Sequence, residues 1–292
     1  MTGFIFAKNI SALPVEGLSQ PYTTRRRQNV FSKVLWPLIA TICFLSAIYA
    51  GSHANAASLD ETAEQYRPYL LEGISQALTG VRALKERVAA KDLPGAKQAW
   101  ISARADWERI EVFTGGFVPD FEEKIDAWPD ASMGFHAIEL KLFGANRTNV
   151  EADTNTLVGH LTALHTKARE IQLTPQGLLN GTAQLAYEVG DNKSGGGESR
   201  ISNTSLDDMR NNVAGIQIAY DIIFSSAVES TDPKLAATVR SGIEQLKAML
   251  DVLSLNNVDK PKLRQVTEEL AVTLQNVAPK IGLARPTLES TP

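Results

Sequence analysis

From residue 57 onward, apolar positions return every three or four residues. Tyr66, Leu70, Ile74, Leu78, Val81 and Leu84 fall on one helical face. Ser58 followed by Glu61 is a capping-box start for that helix, and Pro68 bends or delays it. A second helix is predicted in "DLPGAKQAWISARADWERIEVF", capped by Asp92. The same period marks 156–173, 175–189, 205–229, 232–255 and 260–281. These stretches consist of good helix formers separated by polar turns such as "STDPK" and "NNVDKPK". No alternating β-branched run of any length interrupts them. The pattern predicts an all-α fold, a helical bundle. Seven or eight helices exceed one four-helix bundle, so two packed four-helix-bundle halves are expected. Two stretches break the period. Residues 114–132, "TGGFVPDFEEKIDAWPDAS", hold five acidic residues and read as a long loop. Residues 191–203, "DNKSGGGESRISN", contain three consecutive glycines and read equally well as a lid or as a disordered connector.

The first 56 residues follow another pattern. Arg25, Arg26, Arg27 and Lys33 precede the apolar run "VLWPLIATICFLSAIYAG", and Ala54-Asn55-Ala56 fits a small-x-small cleavage site. This is the layout of a secretory signal, with cleavage expected after Ala56 and residues 57–292 as the mature helical domain. The triple arginine hints at twin-arginine export. The rival reading is an uncleaved anchor, since 34–50 approaches the length that spans a bilayer, although Pro37 lies within it. The single cysteine, Cys43, falls mid-run, where lipid attachment is not expected. The mature chain then carries neither disulfides nor thiolate ligands.

Composition changes the picture in one respect. With 43% hydrophobic and 21% charged residues the chain is an ordinary globular mixture. Removing residues 1–56 takes away five basic residues (Lys8, Arg25, Arg26, Arg27, Lys33) and one acidic residue (Glu16), so the net charge of −4 becomes −8. That balance argues against nucleic acid as a partner and is compatible with cations.

The candidate chemistry centres on "GFHAIELKLFG", residues 134–144. His136 and Glu139 are helical neighbours and can present a nitrogen and a carboxylate to one point. The bland alternative is a surface ion pair. Neither the H-E-x-x-H zinc motif nor a pair of Glu-x-x-His motifs is present. "WERIE" adds Glu108 and Glu111 at the same spacing, with Glu108 also placed to make a routine solvated pair with Arg104. Trp100, Trp107 and Ile110 commit that helix to packing, and a carboxylate buried beside them needs a compensating partner.

Taken together, "GFHAIELKLFG", "WERIE", "KIDAW" and "AYEVG" followed by a glycine-rich loop resemble the imelysin-like domain of the EfeO/EfeM iron-uptake proteins, across essentially the whole mature chain. The resemblance implies a periplasmic metal-binding component that delivers iron to a membrane permease, with a haem peroxidase-like partner in the same uptake system. It implies no catalysis, although the domain takes its name from a peptidase family. Carried over by position, His136 and Glu139 match the H-x-x-E motif and Glu108 and Glu111 match paired glutamates of the preceding helix. Asp126 matches an aspartate of the intervening loop, and Glu188 a glutamate of a later helix. Such a ligand set suits iron, Fe(II) or Fe(III), and also admits zinc, manganese or copper. His136 has to be neutral to bind, so occupancy is expected to fall in acid. Long family members carry a cupredoxin domain ahead of the helical one. Here only the signal precedes it, as in the short form.

Two other functions remain open on the sequence: a metallopeptidase using a metal-activated water, with Glu108 or Glu139 as base, and a module binding acidic polysaccharide such as alginate along Trp100, Trp107, Phe117 and Trp128. Core packing is the expected role of Trp100 and Trp107. His160 and His165, five apart, read as surface residues, and Asn146-Arg147-Thr148 as an inert glycosylation spacing.

Overall fold

The computed structural model describes residues 57–289. The signal reading and Cys43 therefore lie outside the described residues. Twelve α-helices account for most of the described chain, with no strand among the described residues. The first half begins with α1 (Leu59–Gln65), α2 (Arg67–Ala89) and α3 (Leu93–Glu108). Three short helices follow, α4 (Glu111–Phe117), α5 (Pro119–Ile125) and α6 (Gly134–Glu139), and then α7 (Glu151–Glu170). The second half contains α8 (Pro175–Asp191), α9 (Ser205–Ala219), α10 (Ser225–Thr231), α11 (Pro233–Leu250) and α12 (Lys260–Val277).

Local chemistry explains most boundaries. Ser58 and Glu61 form the capping box: the Glu61 amide donates to Ser58 Oγ at 3.2 Å and the Ser58 amide donates to Glu61 Oε2 at 2.7 Å. Tyr66 and Pro68 then divide one predicted helix into α1 and α2. Asp92, Thr174, Asp232 and Asp259 each accept a backbone amide at the start of α3, α8, α11 and α12. The 205–229 reading spans α9, a π-helical turn at Tyr220–Phe224 and α10.

The two expected halves are recognisable. In the first, α2 packs between α3 and α7, and α5 and α6 lean on α7. In the second, α8 packs on α12, α12 on α11, and α9 on both α8 and α11. α3 meets α9, and α4 meets α8, where the halves join. Gly116, Gly177 and Gly181 make the second contact possible: a Cβ on Gly116 would strike the Gly177 carbonyl, and one on Gly181 the Val112 carbonyl. This close approach holds the start of α4, and with it Glu111, against the second half.

Residues 114–132 differ from the loop expected there: most of α4 and all of α5 lie inside it. Each has only seven residues, two turns, too few to show a period. α5 ends at Asp126, and the chain returns to α6 through Gly134, whose φ is +70°. A Cβ at Gly134 would collide with the Ile125 carbonyl. Gly134→Ala is therefore expected to cost about 2 kcal/mol of stability through backbone strain, measured by urea unfolding, and to separate Asp126 from His136. A π-helical turn, Leu140–Gly144, follows α6 directly. Such turns concentrate at functional sites.

Candidate metal centre

The buried face of α3 supplies Arg104, Trp107 and Glu108 at helical spacing. Arg104 and Glu108 are both 0% exposed, so their pairing is not the solvated one that the spacing suggested. Arg104 is the hub of a cluster. Its guanidinium lies 2.5 Å from Glu108 Oε1, 3.2 Å from Glu198 Oε2 and 3.5 Å from Asp208 Oδ2, and also pairs with Asp126. Burial works against the Arg104 charge, but these four acids outweigh it and hold its pKa well above the usual value.

A second cation comes from the segment after α8. Lys193 Nζ lies 3.0 Å from Glu108 Oε2, 2.9 Å from Glu111 Oε2 and 3.1 Å from Glu198 Oε2. Asn212, on α9, donates through Nδ2 to Glu108 Oε2 and Glu111 Oε2, each at 2.7 Å. The 191–203 segment is thus no loose connector in this structure, since Lys193, Ser194, Glu198 and Ser199 are all buried.

His136 closes the cluster on the other side. Its Nδ1 donates to Glu139 Oε2 at 3.0 Å, and Glu139 Oε1 accepts from the Ser202 amide (2.8 Å) and hydroxyl (2.7 Å). Nε2 faces Asp126 Oδ1 at 3.2 Å, an ion-pair distance without the alignment of a hydrogen bond. Nε2 is thus a buried ring nitrogen turned toward the cluster with no well-formed partner. Trp107 Nε1 donates to Asp126 Oδ2 at 2.9 Å, and the Trp128 ring lies 5.1 Å from the imidazole.

The electrostatics follow from burial set against partners. Burial opposes a charge on Asp126 and on Glu108, yet Arg104 leads the cations that keep both carboxyls below their usual values. Burial, reinforced by Glu108, pushes Glu111 well up; burial raises Asp208 to about 7 and Glu122 to about 8, the last helped by Glu188. Burial and Arg104 disfavour the imidazolium, but Asp126 and Glu139 raise His136 to about 9. The ring therefore carries two protons at neutral pH, one of which has to leave before it can bind a metal.

Two groups of ligand atoms converge within 4.8 Å: Asp126, His136 and Glu198, and Glu108, Glu111 and Asp126. Four of the six residues singled out in the sequence (His136, Glu108, Glu111, Asp126) enter these groups, with Asp126 shared. Glu139 stands behind His136 as its hydrogen-bond partner, the arrangement that orients a metal-binding imidazole. Glu188 is half-buried and lines the adjoining cavity of about 550 Å³ with Glu111, Glu122, Asp126, Trp128, Lys193 and Glu198, outside both groups. The sequence analysis did not assign Arg104 as a buried group, Lys193, Glu198, Asp208 or Asn212 to the site. The one available signal was Lys193 beside a glycine run. Trp100 packs in the core, donating to the Phe135 carbonyl at 3.0 Å. His160 and His165 are partly exposed on α7, outside both groups.

Comparison with known proteins bears on this arrangement. The family model described as imelysin matches residues 62–133 and 130–278. An Efem/EfeO family lipoprotein of Staphylococcus haemolyticus is 28% identical over 208 residues, covering 68% of this chain and 72% of its own. One from Staphylococcus aureus (strain MRSA252) is 27% identical over 228 residues, covering 73% and 78%. Among solved structures, one assigned as an iron-regulated protein A precursor from Parabacteroides distasonis superposes with a TM-score of 0.63 at 17% identity. The match covers 78% of this chain and 97% of that one, a likeness of fold.

Proposed function

The chain belongs to the imelysin family, and on that premise we propose that it is an exported iron-binding protein that captures the metal in the Asp126 cluster and hands it to a membrane permease. The observation that carries this reading is the convergence of Asp126, His136 and Glu198 with Glu108 and Glu111 on an acid-lined cavity. The misaligned Nε2 of His136 supplies a nitrogen donor already turned toward the oxygens. One imidazole among carboxylates is a predominantly hard ligand set suited to Fe(II) or Fe(III), and one that zinc, manganese and copper also satisfy. Asp126, His136, Glu198, Glu108 and Glu111 are the proposed ligands, Glu139 orients His136, and Glu188 stands at the cavity wall.

The names of the staphylococcal relatives support an envelope location, reached through residues 1–56 with the periplasm as the destination. No helix among the described residues is long and apolar enough to cross a membrane. We read the protein as a binder and not a hydrolase. The cluster offers one histidine, held between two carboxylates, and the sequence carries no H-E-x-x-H helix.

Titration calorimetry tests the reading on protein purified from cells expressing the full chain. Fe(II) under nitrogen, Fe(III) as a soluble chelate, and Zn(II) are expected to bind at micromolar Kd or tighter, about −8 kcal/mol. Binding no tighter than about millimolar, roughly −4 kcal/mol, for every metal would end it, as would peptide cleavage that is lost with EDTA and with His136→Ala.

A further inference from the structure

The space among Glu108, Glu111 and Glu198 already holds a cation, the Lys193 ammonium, with three carboxylate oxygens at 2.9–3.1 Å. The two buried cations of the cluster are anchored differently. Arg104 sits within the 16-residue helix α3, and its guanidinium engages four acids at once. Lys193 opens a single 3-10 turn, Lys193–Gly195, held by short-range bonds such as Gly196 N–H to the Lys193 carbonyl at 2.9 Å. Gly195, Gly196 and Gly197 follow it. Gly196 has φ +70° and is buried, and the turn packs on α8, α9 and α12, so the movement open to Lys193 is that of its side chain. Lys193 also lines the wall of the cavity of about 550 Å³, which leaves its four-carbon stem a volume to move into.

We infer that Lys193 is a tethered competitor for the cargo: the metal takes the place of Nζ beside Glu108 and Glu111, where Asp126 completes the group of converging ligand atoms, and the lysine swings into the cavity and returns when the metal departs. This rests on the metal-binding reading and specifies how the site loads and empties. Lys193 Nζ brings one positive charge to the three carboxyl groups that contact it, Glu108, Glu111 and Glu198. Exchanging an ammonium for a divalent or trivalent ion improves that balance, whereas exchanging it for a monovalent ion gains nothing, so the lysine filters by charge. Its return keeps the acids compensated once the metal is gone. An uncompensated buried charge is strongly destabilising, and release through the lysine avoids one.

Two measurements with Zn(II) as the probe test this. Lys193→Met keeps the stem and removes the competitor. It is expected to bind Zn(II) at least tenfold more tightly than the wild type by competition against a chromogenic chelator. In the wild-type protein, amine-reactive labelling of Lys193, followed by peptide mass spectrometry, is expected to rise severalfold at saturating Zn(II). The second measurement needs no variant, so it stands even if Lys193→Met folds poorly. Wild-type binding with unchanged or weaker affinity in a folded Lys193→Met protein overturns the inference, as does labelling of Lys193 that stays flat or falls. Either result leaves the metal-binding reading intact. Absence of Zn(II), Fe(II) and Fe(III) binding in wild type and variant alike overturns both.

Discussion

Arg104→Met is expected to destabilise the protein by about 3–5 kcal/mol, the cost of breaking a buried ion-pair network from one side. For a domain of this size that lowers Tm by roughly 10 °C. Arg104 is fully buried and compensates Glu108, Asp126, Glu198 and Asp208 together. A methionine fills much of the same volume, so the loss reports charge more than packing. The pH dependence separates the two. In the wild type the folded-state pKa values of Asp126 and Glu108 are depressed. Their contribution is therefore present above the unfolded value near 4 and is lost as pH falls below it. In the variant burial is opposed by Lys193 and, at Asp126, by His136, but no longer by Arg104, so those carboxyls are expected to rise. The variant then gains less stability than the wild type as pH rises from acid. The gap in Tm should be widest near pH 7 and narrow below about pH 4. Melting curves from pH 3 to 8 check this, and a gap under about 2 °C at pH 7, or one constant with pH, would show that Arg104 is not compensating the cluster.

The second large effect is on binding. Asp126→Asn is expected to weaken metal affinity by about a hundredfold or more, close to 2.7 kcal/mol. Asp126 is common to both groups of converging ligand atoms. An asparagine oxygen can still accept from Trp107 Nε1, so the local packing survives. Two controls grade the result. Glu139→Gln, altering the group that holds Nδ1 of His136, should cost about tenfold. Glu188→Gln, at the cavity wall, should change affinity by less than about threefold. Equal losses at Asp126 and Glu188 would place the metal in the cavity instead of the buried cluster. These affinities can be measured by calorimetry under the conditions used for the wild type.

Much of the fold could be read from the chain because long amphipathic helices advertise themselves. The stripe from Tyr66 to Leu84, the Ser58–Glu61 box and the Asp92 cap all stand where the residues placed them. α4 and α5 stayed hidden because their seven residues carry too little period, and because a proline and two glycines within 114–119 resemble loop punctuation. The site divided in the same way. His136, Glu108 and Glu111 lie in short motifs whose spacing shows on a helix, and Asp126 came from the likeness to a family. Arg104 with Glu108 reads as any exposed i, i+4 pair, since spacing carries no information on burial. Lys193, Asp208 and Asn212 converge only when α3, α9 and the segment after α8 meet, and no local pattern encodes that meeting.

Two indole rings border the cluster. Trp107 donates its N–H to Asp126, and Trp128 lies 5.1 Å from the His136 ring, while Trp100 is set apart in the core. The emission of these two rings is therefore expected to respond to the charge of the acids beside them. A paramagnetic ion arriving there would quench emission directly, so loading and unloading can be followed in real time without attaching a dye.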